Sequence, residues 1–332
     1  MTKLLESGIV LRERYQIVSP IGQGGMGAVY RAADLLLPGR VCALKEISPR
    51  ENELSAEALR QLQIQFRREA RVLARLDHPN LPKVSDYFTA KSREYLVMDF
   101  VPGYDLREII EQQKEKGTFL KYQRVMRWIE QLCDALTYLH SQTPPILHRD
   151  IKPSNIKLTP SGFLKLVDFG LVKLLTSDKA RTITVVQGRG TAAYTPLEQY
   201  GSDDEHTNIQ SDIYALAATL YHLLTGRPPA TAQERFLNPR TLVLPSKINA
   251  NIPPHVERVI LQALSLHPAD RPPDGETFRA LLLQKQAPSP TGTVDTAPND
   301  SPRPRWKDLL RANIPLVIAS AILIFLAILL TP

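Results

Sequence analysis

The sequence predicts an α+β fold of two lobes, followed by one transmembrane helix. Residues 11–102 contain short strand patterns broken by glycine and one helical stretch, which predicts a small antiparallel-sheet lobe with one main helix. Residues 103–284 place apolar side chains at steps of three and four, which predicts a larger, mostly helical lobe. Residues 314–330 form a run without a charged side chain, and this run predicts the transmembrane helix.

The bulk composition narrows the class of protein. A chain of 332 residues can bury the cores of two lobes and carry further segments. The net charge of +7 is modest and does not indicate a nucleic-acid partner. Cys42 and Cys133 lie far apart in apolar patterns, which favours a reducing compartment over a disulfide or metal framework. Residues 1–10 form an N-terminal extension without the pattern of a signal peptide.

A glycine-rich hairpin opens the predicted small lobe. Gly22, Gly24 and Gly27 let the backbone lie close over a phosphate without a side-chain clash. A Rossmann phosphate site would require a helix directly after the glycines, but a second strand pattern begins at Val29. The context therefore favours a hairpin that covers phosphates over a Rossmann site, and a plain glycine-rich hairpin is the alternative.

A strand and a helix supply a candidate charge pair. Lys45 ends the strand pattern that follows the hairpin, and residues 55–75 have helical period. Glu69 falls on the apolar stripe of this helix, where a carboxylate is costly unless it is paired. We expect Lys45 to be its partner. The alternatives are a solvated lysine at a strand end, and a pairing of Glu69 with Arg68 or Arg71.

The polar chemistry of the chain is concentrated in residues 148–170. Asp150, Lys152 and Asn155 lie together, and Asp168 follows a strand, a Pro-Ser-Gly turn and a second strand. Because such a hairpin folds the chain back, we expect Asp168 to return close to Asp150 and Asn155. Two carboxylates and an amide form an oxygen-rich site suited to Mg2+, and Lys152 beside them suits a phosphate.

These residues resemble the catalytic loop and the metal-binding motif of protein kinases. The resemblance implies that Asp150 accepts the proton of a substrate hydroxyl and that Lys152 contacts the transferred phosphate. It also implies that Asn155 and Asp168 bind Mg2+, with Mn2+ as an alternative ion. Lysine two residues after the aspartate is the serine/threonine-kinase form. The alternative is a surface loop with a chance His-Arg-Asp, which the spacing of the later motif residues disfavours.

The same resemblance assigns ATP contacts in the small lobe. Backbone groups near Asp99 and Val101 would form the hinge that holds adenine, with Met98 at the back of the pocket. Asp105 is placed to reach the ribose, and Lys45 matches the lysine on the α- and β-phosphates. The residues implied to line the ATP site are Ile21, Gly22, Gly24, Gly27, Val29, Ala43, Lys45, Glu69, Met98, Asp99, Val101 and Asp105.

Residues 168–198 resemble a kinase activation segment. Arg149 marks kinases in which a phosphorylated segment docks on that arginine through charge-assisted hydrogen bonds. Thr182 or Thr184 is the expected autophosphorylation site, and a merely polar loop is the alternative. Thr191 matches the threonine that contacts the catalytic aspartate.

The large lobe contains further motif residues of the family. Glu198 is expected to pair with Arg271, although Pro196 stands one place earlier than in most relatives. Asp212 matches the aspartate that braces the catalytic-loop backbone. Residues 211–226 have the pattern of a strongly apolar helix, with Ser211 or Asp212 as its expected cap. Helices over 253–266 and 275–284 would complete the domain.

The end of the chain has a different composition. Residues 285–313 are rich in proline and end in basic residues, as expected of a juxtamembrane linker. At about 1.5 Å per residue, the run 314–330 reaches roughly 25 Å, the short end of a membrane span. The basic residues before it place the preceding domain in the cytoplasm, with a single-pass C-terminal anchor in the cell membrane. The alternative is a helix that packs on the globular domain.

Residues 11–284 as a whole resemble a bacterial Hanks-type serine/threonine protein kinase domain, with a small lobe at 11–102 and a large lobe at 103–284. The resemblance implies transfer of the γ-phosphate of ATP to Ser and Thr of protein substrates, and pairing into a homodimer. Contact with membrane lipid would be made through 314–330. A rival is a nucleotide-binding pseudokinase scaffold. Such chains usually lack one of the four residues that are all present here, namely Lys45, Asp150, Asn155 and Asp168.

Overall fold

The structure, a computed structural model, describes residues 4–24, 27–47, 56–90, 93–168, 192–200 and 207–284. All of them belong to one unit, residues 1–285, and a second unit, 286–332, lies outside the described part. Within the described residues, no helix has the length and apolar character needed to cross a membrane. The predicted linker, 285–313, and the predicted span, 314–330, both lie outside these residues.

The small lobe is built on an antiparallel sheet, as the sequence predicts. Its six strands are β1 (Val10–Leu11), β2 (Tyr15–Gly24), β3 (Gly27–Asp34), β4 (Val41–Ile47), β5 (Val84–Ala90) and β6 (Arg93–Asp99). They lie in the order β1-β2-β3-β4-β6-β5. β2 and β3 form the glycine-rich hairpin, which Gly24 and Gly27 close as cross-strand partners. A second strand therefore follows the glycines, as expected.

The two faces of this sheet bury different residues because side chains alternate along a strand. In β4, Leu44 packs into an aromatic core with Tyr15, Tyr30 and Tyr95 on the outer face. The N-terminal segment covers this face, because Leu4, Leu5 and Ile9 pack against it. The backbone N–H of Leu5 donates to the Tyr30 hydroxyl at 3.2 Å. The N-terminal extension is thus packed against the small lobe from residue 4.

The inner face of the sheet packs on the one main helix of the small lobe, α1 (Ala56–Leu73). Phe66, Ala70 and Leu73 form its buried stripe and join Ala43 and Ile47 of β4 in the larger core. Because Leu44 and Glu46 occupy the outer face, Lys45 lies on the inner face beside these residues. The sheet register thereby places Lys45 towards the cleft between the lobes.

The large lobe is mostly helical. Its helices are α2 (Leu106–Glu115), α3 (Tyr122–His140), α4 (Ile209–Thr225), α5 (Ala232–Leu237), α6 (Pro245–Ile248), α7 (Pro254–Ala263) and α8 (Gly275–Leu283). A three-stranded antiparallel sheet of β7 (Tyr104–Asp105), β8 (Ile156–Leu158) and β9 (Leu164–Leu166) lies beside them. β8 and β9 are the predicted hairpin. The sequence analysis did not predict the short helices α5 and α6.

Helix α4 is the central element of this lobe. Every residue from Ser211 to Thr225 is buried, so neighbouring elements cover the helix around its whole circumference. The expected cap at Ser211 or Asp212 is wrong, because the helix begins at Ile209 after Asn208. Ser211 Oγ instead accepts from the Asn208 backbone N–H at 3.2 Å, and the Asp212 side chain points inward. Gly226 ends the helix in the left-handed conformation (φ 70°).

Candidate active site

The centre of the site is the loop between α3 and β8. Lys152 Nζ donates to both carboxylate oxygens of Asp150, at 3.1 and 2.9 Å. Pro153 begins a short 3-10 turn that brings Asn155 back over Asp150. Asn155 Nδ2 then donates to the Asp150 carbonyl at 2.9 Å and to its Oδ2 at 2.8 Å. These bonds orient the Asp150 carboxylate, and its side chain remains 17% exposed and open to a substrate group.

Asp212 braces this loop from the first turn of α4. Its Oδ1 accepts from the Arg149 N–H and its Oδ2 from the His148 N–H, both at 2.8 Å. His140 Nε2, at the end of α3, lies 2.9 Å from the same Oδ2. Burial opposes ionisation of Asp212, but the hydrogen bond from His140 and nearby charges outweigh it and lower its pKa. The carboxylate thus holds Arg149 in a left-handed conformation (φ 64°).

Asp168 meets Lys45 across the cleft between the lobes. Lys45 Nζ lies 2.8 Å from Asp168 Oδ1, although 123 positions separate them in the chain. Burial opposes ionisation of Asp168, but the charge and hydrogen bond of Lys45 outweigh it and lower its pKa. Asp168 therefore carries a negative charge at neutral pH, beside one cation of the small lobe.

The β8–β9 hairpin brings Asp168 back to Asn155. The backbone N–H of Val167, the residue before Asp168, donates to the Asn155 carbonyl at 2.8 Å. Because Asn155 Nδ2 already donates to Asp150, Asn155 Oδ1 is the side-chain atom of this residue that is left for a cation. Within the described residues, no three His, Cys, Asp or Glu side chains gather as a metal cluster. Asn155 Oδ1 and the Asp168 carboxylate are oxygen donors of the kind that Mg2+ prefers, and they would supply part of its ligand set.

The glycine hairpin lies at the edge of the small lobe. A Cβ on Gly27 would lie 1.9 Å from the Glu46 carbonyl, so only glycine fits this position. A Cβ on Gly22 would meet no atom within 4 Å. Ile21 is exposed, whereas Val29 packs on the larger core. Gly22 therefore faces open space, and Gly27 is required for the close approach of β3 to β4.

The residues predicted to form the hinge lie at the end of β6 and directly after it. Met98 and Val101 are buried, and the Asp99 N–H donates to the Lys83 carbonyl at 3.0 Å. The Asp105 carboxylate caps α2, because it accepts from the Glu108 N–H at 2.9 Å. One oxygen of Asp105 is thus used by the helix, which leaves the other for a ribose contact. The adenine and ribose contacts stay predictions.

Glu69 lies on α1 between the buried residues Phe66 and Leu73, as the helical period predicts. Its side chain is half-buried in the same inner region that contains Lys45. The pairing of Glu69 with Lys45 stays a prediction. Thr182, Thr184 and Thr191 lie outside the described residues, so their roles also stay predictions.

The end of the predicted activation segment is tied to the large lobe by a buried ion pair. Arg271 Nη1 and Nη2 donate to Glu198 Oε1 and Oε2, at 2.6 and 3.0 Å. Ser211 Oγ donates to Glu198 Oε1 at 2.8 Å. Burial opposes ionisation of Glu198, but the hydrogen bond from Arg271 outweighs it and lowers its pKa. The early Pro196 is therefore compatible with the expected pair.

A second tie joins the same segment to α4. The Tyr194 hydroxyl lies 2.6 Å from His222 Nδ1, and both side chains are buried. Burial, aided by the positive charge of Lys114, lowers the pKa of His222 to about 4, so its ring is neutral at pH 7. Sequence reasoning missed this pair and the contact of His140 with Asp212. The only signal was a histidine inside each apolar helix pattern.

A cavity of about 700 Å3 lies elsewhere in the large lobe. Phe119, Tyr122, Leu224 and Ile252 are among its lining residues. None of them is a candidate site residue. The chemistry described above belongs to the cleft between Lys45 and Asp150, and the cavity is separate from it.

A family model described as the protein kinase domain matches residues 15–281. The chain belongs to the protein kinase family. The matched range runs from the first residue of β2 almost to the end of α8, so it includes both lobes of the kinase domain.

The kinase domain is similar to bacterial proteins named as serine/threonine kinases. The probable serine/threonine-protein kinase PknB of Lactococcus lactis is 34% identical over 270 residues, 78% of this chain and 40% of the relative. Serine/threonine-protein kinase B of Synechocystis is 36% identical over 228 residues, 66% of this chain and 38% of the relative. The kinase pkn3 of Myxococcus xanthus is 34% identical over 290 residues, 83% and 50% respectively. The chain spans half or less of these relatives.

Solved structures confirm the two-lobed fold. The structure titled PpkA-294 apo form is 30% identical, with a TM-score of 0.69 over 84% of this chain and 99% of that chain. The PknI kinase domain of Mycobacterium tuberculosis is 27% identical, with a TM-score of 0.64 over 84% and 98%. Both likenesses extend over nearly all of the related chain, so the kinase domain has the same fold.

Proposed function

We propose that this chain transfers the γ-phosphate of ATP to serine and threonine hydroxyls of proteins, including its own activation segment. The contact of Lys45 with Asp168 carries the proposal, because it joins the two lobes at the point where a triphosphate would lie. A phosphate site needs cations and a metal-binding carboxylate within reach of one another. This cleft supplies both.

The side chains of the cleft have different proposed roles, which follow from their chemistry. Lys45 would hold the α- and β-phosphates, and Asn155 and Asp168 would hold Mg2+, or Mn2+ in its place. The ion would neutralise charge on the phosphate oxygens. Asp150 would orient the substrate hydroxyl and accept its proton. Lys152 already touches Asp150 and would stabilise the charge that develops on the transferred phosphate.

Further residues would place the two substrates. Met98, Asp99 and Val101 would enclose the adenine, and Asp105 would bind the ribose with the oxygen that α2 does not use. Glu69 would fix Lys45 from α1. The list of proposed contacts also includes Ile21, Gly22, Gly24, Gly27, Val29 and Ala43 around the nucleotide, and Thr191 beside the catalytic aspartate. Most of the rate enhancement would come from positioning and charge stabilisation.

Activation would act through Arg149. A phosphate on Thr182 or Thr184 would bind this guanidinium and order the segment that Glu198 anchors at its far end. Pairing of two copies into a homodimer would bring one active site to the segment of the other. Autophosphorylation in trans would then depend on protein concentration, whereas transfer within one chain would not.

The domain would be held at the cytoplasmic face of the cell membrane. The apolar run 314–330 would bind membrane lipid, and the basic residues before it would stay on the cytoplasmic side. Membrane fractionation of cells that express the chain with and without residues 312–332 tests the tether. Equal recovery in the membrane fraction would contradict it.

The rival function is a nucleotide-binding pseudokinase scaffold. The deciding experiment follows phosphate transfer from labelled ATP to the chain itself and to a generic basic protein. Asp150→Asn should abolish transfer and leave the thermal unfolding temperature within a few degrees. Asp134→Asn, which changes an exposed carboxylate in α3, is the matched control and should transfer at the wild-type rate. Equal labelling by wild type and Asp150→Asn would refute the kinase function.

A further inference from the structure

Helix α1 has an exposed face rich in arginine. Arg60, Arg67, Arg68 and Arg71 lie within about 100° of its circumference, at 3.6 residues per turn. Arg75 follows in the turn that ends the helix, and all five side chains are exposed. This group is called the arginine face below. Five like charges on one face repel one another, so the arrangement needs a compensating partner or screening by salt.

Among the described residues, little negative charge lies beside the arginine face. The buried Glu94 carboxylate, which accepts from Thr89 Oγ1, is close enough to Arg67 for the two charges to attract. Within the described residues, no Asp or Glu side chain forms an ion pair with these guanidinium groups. Glu57 is the one exposed carboxylate of the helix, and Gln61 donates to it. Arg67 donates to Thr89 Oγ1 and Arg71 to the Tyr87 hydroxyl, each at 3.3 Å. These bonds hold two of the arginines against β5 and leave their other N–H groups exposed.

Apolar side chains interrupt the arginine face. Ile64 is 46% exposed, and its neighbours three or four positions away on the helix surface are Arg60, Arg67 and Arg68. Val72 is 43% exposed at one edge of the face. The exposed side of α1 has no aromatic residue on which a nucleic-acid base could stack. A cluster of arginines beside exposed aliphatic side chains is instead suited to the surface of an anionic bilayer, which attracts basic residues.

We propose that the arginine face of α1 docks on an anionic lipid bilayer, and this proposal rests on the membrane tether of the proposed function. Residues 285–313 can span at most about 100 Å from the end of the domain to the bilayer. The tether would therefore keep the face near lipid at a high effective concentration. Glu69 lies about 140° round the helix from Ile64, at 100° per residue. Docking through the arginine face thus leaves the cleft side of α1 uncovered.

The expected strength of lipid binding follows from the number of arginines near the bilayer. Each arginine near an anionic leaflet increases the binding constant about fivefold, so four would increase it several-hundredfold. This gain depends on ionic strength, because about 0.5 M salt shortens the screening length to roughly 4 Å. A bilayer of neutral zwitterionic lipid should give no such gain.

A fluorescent label in the arginine face tests the docking directly. The native cysteines, Cys42 and Cys133, are buried, so an introduced surface cysteine can be labelled selectively. The full chain carrying Ile64→Cys and an environment-sensitive dye is placed in nanodiscs of phosphatidylcholine, with or without 30% phosphatidylglycerol. Val243→Cys marks an exposed aliphatic position of the large lobe as the matched control. The emission of the dye at position 64 should shift to the blue and be quenched by lipid-borne quenchers in anionic discs at low salt. The dye at position 243 should show neither effect, and neutral discs or high salt should remove both effects at position 64.

Charge variants give the second readout. Replacing Arg60, Arg67, Arg71 and Arg75 by Gln should abolish the lipid-dependent shift at position 64. The control set removes four exposed cations of the large lobe, namely Arg127, Arg240, Lys247 and Arg258, and should keep it. An equal signal at positions 64 and 243, or an unchanged shift in the first set, would overturn the proposal. If the chain does not enter the discs, the tether has failed. The labelled chain is then added to preformed anionic vesicles, where the same comparison decides the docking.

Discussion

Replacement of Asp212 by Asn tests how the catalytic loop is held in place. The carboxylate accepts from the backbone N–H of His148 and of Arg149, and from His140 Nε2. An amide has one accepting oxygen, so whichever way it turns, its N–H2 group faces one of the two backbone N–H groups. The ring of His140 can adapt by moving its proton to Nδ1, which has no hydrogen-bond partner among the described residues. The backbone N–H groups cannot adapt.

The expected loss of stability follows from the number of hydrogen bonds that Asp212→Asn removes. Losing one hydrogen bond to a charged acceptor costs about 1.5–3 kcal/mol, and the donor left buried adds to the cost. We therefore expect the free energy of unfolding to fall by about 2–4 kcal/mol. Arg149 is held at φ 64°, a conformation that non-glycine residues adopt at a cost, so the loop should relax when this restraint weakens. A shift of about 2 kcal/mol away from the active conformation lowers kcat roughly thirtyfold.

Urea-induced unfolding gives the stability, and steady-state phosphate transfer gives kcat and the KM for ATP. We expect kcat to fall at least tenfold, while the KM for ATP changes little because Lys45 and Asp168 are untouched. Asp274→Asn is the matched control, since Asp274 caps α8 and asparagine caps helices equally well. A loss below about 1 kcal/mol with unchanged kcat would refute the bracing role of Asp212.

Three further predictions concern other parts of the fold. Gly27→Ala should lower the free energy of unfolding by about 1–3 kcal/mol, because its Cβ would strike the Glu46 carbonyl, whereas Gly22→Ala should leave urea unfolding unchanged. The folded pKa of Glu198 is lowered, so its ion pair should stabilise the protein above the ordinary glutamate pKa of 4.5 and cease to do so on further acidification. The stability gap between wild type and Glu198→Gln, measured from pH 7 to pH 3, should therefore close; a constant gap would contradict the pair. His222 should stay neutral in an NMR titration until about pH 4, and protonation near pH 6.5 would show that its ring is accessible to water.

The sequence alone predicts where a side chain lies when local pattern and motif agree. Alternation in β4 places Lys45 and Leu44 on opposite faces, and the hairpin before Asp168 turns the chain back by local turn chemistry. The ion pair of Glu198 with Arg271 is remote in sequence and came from family resemblance alone. No periodicity argument joins residues 73 positions apart.

Other features depend on tertiary context, which the sequence pattern does not contain. Local pattern alone makes Asp212 a candidate helix cap, and its contact with the backbone N–H groups of the catalytic loop was expected only from the family resemblance. Tyr194 and His222 meet only after α4 is packed, so neither residue alone indicates the contact. Residues 4–10 read as an extension because Leu4 and Leu5 are too few to form a periodic pattern. Their role is to cover the aromatic face of the sheet, and this is evident only in the folded structure.

Helix α4 fixes the geometry of the large lobe because it is buried on every side. It holds the catalytic loop through Asp212 and the end of the activation segment through Ser211 and His222. A rod enclosed in this way cannot rotate or slide without disturbing both attachments at once. A displacement of α4 would therefore disturb the catalytic loop and the segment 194–198 together, so the burial of one helix couples the positions of both.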